Sequence, residues 1–491
     1  MKREQMKKYE SLVKGGSLVI PRGGTVRADI GISEGKIAAI GDIGSQESEH
    51  VVDATGKFVF PGAVDSHFHI GILRPMEEDA KSESASAASG GVTTILSFFR
   101  TGQDYLNKIG PYRQIFPEVL EISKDSFITD YGYHLAIMTK DQLDEIEWLI
   151  TDAGVCQFKY YMFYKSLDLS GVRRAADYLM IKEPLDLGLL YEIMDRVAEA
   201  NGKFGEYGKA RVAVHCEDAE VIRVTAAKVR ERPSGNITKD YSDSRPGLQE
   251  GLAIHEAGFL ASRTNCPINI VHLSGKEAVD AVREISHLYP KLDILKEATL
   301  HHLALSNDND YGNFAKVNPP IRTPEDLEYL WKAVLAGDID NVVSDHACVA
   351  KEKKEGDFWS ITAGFGGTAL MFPVLITEGY FKRGLSLERI AELTSLNPAI
   401  RHNLYPKKGT IMIGSDADLA IVDMDRERKV STDILRSAQD FSPFEGLTLR
   451  GWVECTILRG EAVFEEGEIV GKPGFGQYIK RPIKFHYRDS Y

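Results

Sequence analysis

The sequence predicts an α/β fold: a (β/α)8 TIM-like barrel with a small β-sandwich domain built from both termini. Three observations carry this expectation. Eight apolar, strand-like runs alternate with helical patterns through the middle of the chain. Both ends are rich in short strands separated by glycine and polar turns. The length, 491 residues, fits one large barrel plus a smaller appendage.

At the N-terminal end the strand-like runs are SLVI, ADIGI, KIAAI and KFVF, set between breaks such as PRGG and SEGK. DLAIVDM, VECTIL and EAVFEEGEIV repeat that texture near the C-terminus. The two ends of a domain often lie close together. Residues 1–61 and 402–475 are therefore expected to form one composite sandwich and residues 62–401 the barrel. Residues 476–491 form a tail that offers an oligomer contact.

Barrel strands are expected to begin near Ala63 (AVDSHFH), Val92 (VTTILSFF), Tyr131 (YGYHLAIM) and Val155 (VCQFKYYMF). The other four begin near Arg211 (RVAVH), Ile268 (INIVHLS), Leu292 (LDILKEATL) and Asn341 (NVVSDH). Helical stretches such as EEDAKSESASAAS, LYEIMDRVAEA and PEDLEYLWKAVLAG separate most of them, which is the alternation a closed parallel barrel needs.

The bulk properties narrow the class. The net charge is −13, from 72 acidic and 59 basic residues, and no basic stripe stands out, so nucleic-acid binding is not expected. The five cysteines, Cys156, Cys216, Cys266, Cys348 and Cys455, are scattered and contain no CxxC pair. That points away from a disulfide framework and toward a reducing compartment. The charged start MKREQMKKYE lacks the apolar core of a signal peptide, and no run is long and apolar enough to span a membrane. The expectation is a soluble, cytoplasmic protein.

In such a barrel, chemistry sits at the C-terminal ends of the strands. Strand one ends in His67-Phe68-His69, and strand four carries Lys159. Strands five and six end in His215 and His272, and strand eight ends in Asp345. Each follows an apolar run, where such groups are costly without a partner. His67 and His69 are two apart on a strand and face one side, so they can chelate one divalent ion. Lys159, inside FKYYMF, would bury an ammonium beside cations. Desolvation and neighbouring positive charge push it toward the neutral amine. That amine reacts with CO2 to give a carbamate, whose two oxygens can each bind one metal.

PGAVDSHFHIG, FKYYMFYK, VHCED, VHLSG, KVNPPIR and SDHAC resemble, in order, the motifs of the hydantoinase and dihydropyrimidinase branch of the amidohydrolase superfamily. The resemblance implies ring opening of a cyclic amide: a hydantoin, a dihydropyrimidine or a cyclic imide. By it, His67, His69, Lys159 and Asp345 hold the more buried of two divalent metal ions. Lys159, as N6-carboxylysine formed with CO2, joins His215 and His272 on the more exposed one. A hydroxide bridging the two ions is the nucleophile, and Asp345 carries its proton to the leaving nitrogen. Tyr164, five residues after Lys159, donates to the developing oxyanion, and Asn318 binds the ring amide through its backbone. Zinc is the implied metal, with manganese or cobalt suiting the same N/O donors. The family is commonly tetrameric, so a homo-oligomer acting on a small molecule is implied.

The sequence also departs from the family pattern. Ala363-Gly364-Phe365-Gly366-Gly367 stands where an Asn-Gly-Gly-like loop usually contacts the substrate ring. The 56 positions from Lys159 to His215 include an insertion around Asp168–Ala210. Phe68, Phe98, Phe99, Tyr160, Tyr161, Phe358, Trp359 and Phe365 make the neighbourhood aromatic, which hints at a bulky substituent on the substrate. Cys216, Glu217, His301, His302 and His346 read as supporting or structural residues, and Arg100 as a surface ion pair or a carboxylate contact. Gly71 stands where a dihydroorotase carries arginine. Allantoinase is a nearer alternative, from which Tyr164 sets this chain apart. A non-catalytic scaffold is disfavoured by the complete ligand set.

Overall fold

The computed structural model describes residues 9–44, 48–102, 104–163 and 185–483. Eight parallel strands curl into the central sheet. They span Ala63–His69, Val92–Phe99, Asp130–Ala136, Gln157–Tyr161, Arg211–His215, Ile268–Ile270, Ile294–Thr299 and Asn341–Val343, each paired with the next. Each begins within two residues of the start read from sequence. Both faces of these strands are covered, which is why they appear as near-continuous apolar runs.

The eighth strand is broken. Asn341–Val343 pairs with strand seven, the chain then bends at Ser344-Asp345, and His346–Ala347 pairs with strand one to close the ring. Asp345 takes φ +50 at this bend, in the left-handed region that is uncommon for a residue with a side chain.

Helices pack outside the ring, and their starts carry recognisable caps. The Asp186 side chain accepts from Leu189 N, Asp218 from Val221 N, and Thr323 from Asp326 N with Pro324 at the first helical position. No helix among the described residues is long and apolar enough to cross a membrane.

Two smaller sheets complete the molecule. Four strands from the N-terminal end, Tyr9–Lys14, Asp29–Ser33, Lys36–Gly41 and Ser48–Asp53, form one. The other mixes both ends: Phe58–Pro61 pairs antiparallel with Leu419–Lys429, which pairs in turn with Thr448–Leu458. Val13, Ile30, Ile32, Val59, Leu419 and Ile457 share the apolar core of this sandwich. Beyond it, Tyr478, Ile479 and Arg481 return to the barrel. Arg481 is fully buried, bonded to the Tyr133 carbonyl and 3.2 Å from His134 Nδ1.

A buried cation joins the sandwich to the barrel. Lys408 Nζ lies 2.7 Å from Asp130, 2.9 Å from Asp416 and 2.6 Å from Asp418, and Arg459 also binds Asp130. Burial disfavours the ammonium, but the three carboxylates outweigh that and hold its pKa well above the ordinary lysine value. Lys408→Met strands these carboxylates in the interior and is expected to destabilise the fold by roughly 3–5 kcal/mol. Urea unfolding would show this as a lower midpoint at unchanged slope.

Candidate metal centre

The polar residues at the strand ends converge at one end of the barrel. His67 Nε2 and His69 Nε2 lie 3.1 and 3.2 Å from the same oxygen, Asp345 Oδ1. The three ligand atoms fall within 4.8 Å of one another. Burial would raise the Asp345 carboxyl, but His67, His69 and His301 overcome it and hold the group well below the usual carboxylate range. Burial drives the His69 imidazole down to about 4. At neutral pH the His69 imidazole is therefore an electron-pair donor beside the carboxylate.

Strand seven supplies a residue that the sequence reading missed. Glu297 Oε1 is 2.6 Å from His67 Nδ1, and Glu297 Oε2 accepts from Asn269 Nδ2 at 3.4 Å. This contact places the imidazole proton on Nδ1 and turns the Nε2 lone pair toward Asp345. The period-2 alternation in ILKEAT was the available signal, since it sets Glu297 on one face with Leu295 and Thr299.

Lys159 points inward and is 1% exposed, which removes the reading of a lysine reaching to a surface carboxylate. Its Nζ sits 4.4 Å from the Phe98 ring centroid, and Phe98 in turn packs edge-on to His67 at 4.6 Å. Burial lowers its pKa to about 8, against the pull of Asp345 and Glu297. No ion pair involves Lys159 among the described residues.

On the far side, His215 Nδ1 and His272 Nε2 face each other at 2.8 Å. Glu217 Oε2 is 2.8 Å from His215 Nε2, which fixes the proton there and leaves Nδ1 as a lone pair. His272 has φ +43, and its Nδ1 is buried with no hydrogen-bond partner among the described residues. Strain of this kind persists where the surroundings impose it, often at functional sites. Two facing imidazoles, an orphaned ring nitrogen and an inward amine are groups that a divalent cation would satisfy, so the residues fit a metal centre.

Burial pushes the Glu217 carboxyl up, but Arg245 and His215 reverse this and hold it at about 2. Its folded pKa lies below its unfolded value, so its contribution is complete above about pH 4.5 and is lost as pH falls toward 2. The contribution is on the order of 3 kcal/mol. Urea titrations of the metal-free protein across that window should show the acid loss, and Glu217→Gln should flatten it.

The His69 and Asp345 side chains are 12% and 10% exposed. The Phe163 ring packs on His215 with ring centroids 4.5 Å apart.

Other sequence candidates are placed as follows. Tyr164 and residues 168–184 of the insertion lie outside the described residues; the remainder includes the helix Leu187–Phe204. Asn318 precedes Pro319, and its Oδ1 accepts from the Tyr241 hydroxyl at 2.5 Å. Arg100 lies 3.8 Å from Asp104 and over the Tyr105 ring, and Tyr105 OH is 3.4 Å from His69 Nδ1. His302 joins Thr299 and the Pro320 carbonyl, while His346 joins Glu83 at 2.7 Å. Gly366 is required by His346: a Cβ there would lie 2.6 Å from the imidazole. Of the aromatic residues, Phe98, Tyr161 and Phe163 border the centre, whereas Phe68 stacks on His346.

Two further acidic clusters already enclose cations. Lys408 fills Asp130/Asp416/Asp418, and Arg74 Nη1 approaches Asp79, Glu83 and Cys348 at 3.4, 3.7 and 3.7 Å. Among the described residues, only the histidine-bearing cluster encloses no side-chain cation of this kind.

The amidohydrolase family model matches residues 178–463. The chain is 32% identical to D-hydantoinase of Geobacillus stearothermophilus, covering 96% of each sequence. It is 34% identical to allantoinase of Solibacter usitatus, covering 98% of this chain and 99% of that one. Its fold is similar to that of L-hydantoinase (dihydropyrimidinase) from Arthrobacter aurescens, with a TM-score of 0.85 and 30% identity over 96% of this chain and all of that one. With a matching barrel, a histidine-carboxylate centre and relatives along nearly its whole length, the chain belongs to the amidohydrolase superfamily, in its hydantoinase/dihydropyrimidinase-like family, and is a hydrolase.

Proposed function

We propose that this hydrolase opens a cyclic amide at a binuclear centre. His67, His69, Lys159 and Asp345 hold one divalent ion, and Lys159, His215 and His272 hold the other. The observation that carries the reading is the convergence of imidazole and carboxylate groups from the first, fifth and eighth strands and from His272 beyond the sixth, beside the inward amine of Lys159. Zinc is the metal we propose, since imidazole, carboxylate and carbamate suit it; manganese and cobalt suit the same set.

Lys159 Nζ attacks CO2, forming an N–C bond, opening one C=O bond to an oxyanion and releasing a proton. The product is an anion with two oxygens. When bound, divalent cations lower the pKa of water and polarise an amide carbonyl. Asp345, ionised at neutral pH, accepts the proton of the attacking water on its carboxylate and delivers it to the leaving ring nitrogen. Glu297 and Glu217 hold His67 and His215 in the required tautomers. Asn318 binds the ring amide through its backbone.

Tyr164 donates to the oxyanion. Tyr164→Phe is expected to lower kcat by roughly 10²–10³ in a steady-state assay, and an unchanged kcat assigns the ring to packing.

Relatives named hydantoinase support a hydantoin or dihydropyrimidine substrate, and the 34% identity to an allantoinase makes allantoin the second reading. A spectrophotometric screen of the metal-loaded enzyme against dihydrouracil, phenylhydantoin, allantoin, dihydroorotate and phthalimide decides between them. Turnover of phenylhydantoin or dihydrouracil above allantoin supports the first, and opening of none refutes both. The barrel of residues 62–401 is the catalytic unit in this reading, working as a homotetramer through surfaces that include the C-terminal tail. The five cysteines are free and buried, which supports a reducing, cytoplasmic setting.

A further inference from the structure

Behind the His215–His272 pair, close contacts continue to the segment that carries Asn318. Glu217 Oε2, which faces His215, also accepts from Arg245 Nη1 at 2.8 Å. The Arg245 guanidinium lies over the Tyr241 ring, 5.3 Å from its centroid. The Tyr241 hydroxyl donates to Asn318 Oδ1 at 2.5 Å. Tyr241 lies in the helix Ile237–Ser244 and Arg245 caps it, so their i,i+4 spacing sets both on one face.

Every link is held from outside. The Tyr241 ring packs against Phe358 and Trp359 at 5.2 and 6.0 Å. Lys316 Nζ fixes that wall by donating to the carbonyls of Phe358, Trp359 and Ile361 at 2.9, 3.0 and 2.7 Å. Arg322, four residues beyond Asn318, donates to the Arg245 carbonyl. Gln249 Nε2 holds the second Glu217 oxygen at 3.2 Å. The 318–322 segment therefore grips the 241–245 segment at two points, and Glu217 passes that grip to an imidazole.

We propose that Tyr241 and Arg245 are positioning residues that transmit the setting of the Asn318 segment to His215. This rests on the reading of His215 as a metal ligand and Asn318 as a substrate contact. The orientation of a ligating histidine is set by the group on its other nitrogen, and loss of such a partner typically costs about 10–100-fold in metal affinity. Here that partner is itself steered from the substrate side. A substrate that orders Asn318 tightens the ion at His215, and by reciprocity that ion tightens the substrate by the same factor.

The test uses the full-length protein loaded with Co2+, reading its visible absorption and, by competition with a chelator, the affinity of the more weakly held ion. Tyr241→Phe keeps the ring packed and removes one hydroxyl. Asn318→Ala cuts the same hydrogen bond from the other side, so a folding failure in one variant leaves the other to decide. Each is expected to weaken the second cobalt roughly fivefold or more and to shift its absorption. The double variant should be no weaker than the worse single, because both remove one bond. Wild-type affinity and spectrum in the single variants, or additive losses in the double, overturn the proposal while the binuclear reading stands. A wild-type protein that takes up no second cobalt overturns both.

Discussion

Lys159→Ala is expected to yield a folded protein that binds no stoichiometric metal and has no detectable turnover. The residue lies on the fourth strand, 1% exposed, with its amine against Phe98. Burial brings its pKa to about 8, which leaves about a tenth of it neutral at pH 7, several hundred times the fraction for an ordinary lysine. That neutral fraction is what CO2 requires. In the proposed binuclear reading, each ion loses a shared anionic ligand with the side chain. The fold itself should survive, since removing a buried amine that has no ion-pair partner among the described residues relieves a desolvation cost. Metal analysis and circular dichroism on one preparation check both halves. A fully metallated, active Lys159→Ala enzyme contradicts the assignment. A short free carboxylate such as acetate should restore part of the metal content, because it can occupy the vacated space as an anion.

Asp345→Asn is expected to lower kcat by roughly 10²–10⁴. The substitution keeps the shape and an oxygen within reach of His67 and His69, but an amide cannot accept and return a proton. The carboxylate is ionised through the whole neutral range because the three surrounding histidines outweigh its burial. Single-turnover kinetics at saturating metal separate this loss from weakened metal binding. A near-normal kcat in the metal-loaded variant removes Asp345 from proton transfer and leaves it a ligand only.

The eight strands were legible because each is covered on both faces and so appears as an apolar run with a definite start. His67, His69, His215, His272 and Asp345 stood out in the sequence as polar groups at or just past the end of such a run, and Lys159 as a charge within one. Glu297 was hidden, because ILKEAT mixes charges that read equally well as a solvated face, and only the register of strand seven against its neighbours turns one of them inward. Tyr241 and Arg245 were hidden more deeply. ITKDYSDSR has the composition of an ordinary surface helix, and its meaning arises from contacts with Glu217 and Asn318, each more than 20 positions away. The break in the eighth strand was not visible either, because NVVSDHAC reads as one continuous strand.

That break has a consequence during synthesis. The segment that joins strand seven to strand one also carries Asp345, so a polypeptide emerging from the ribosome has neither a closed ring nor a complete cradle until residues 341–347 have been made. Shorter products present His67 and His69 without the Asp345 carboxylate that they face in the finished fold.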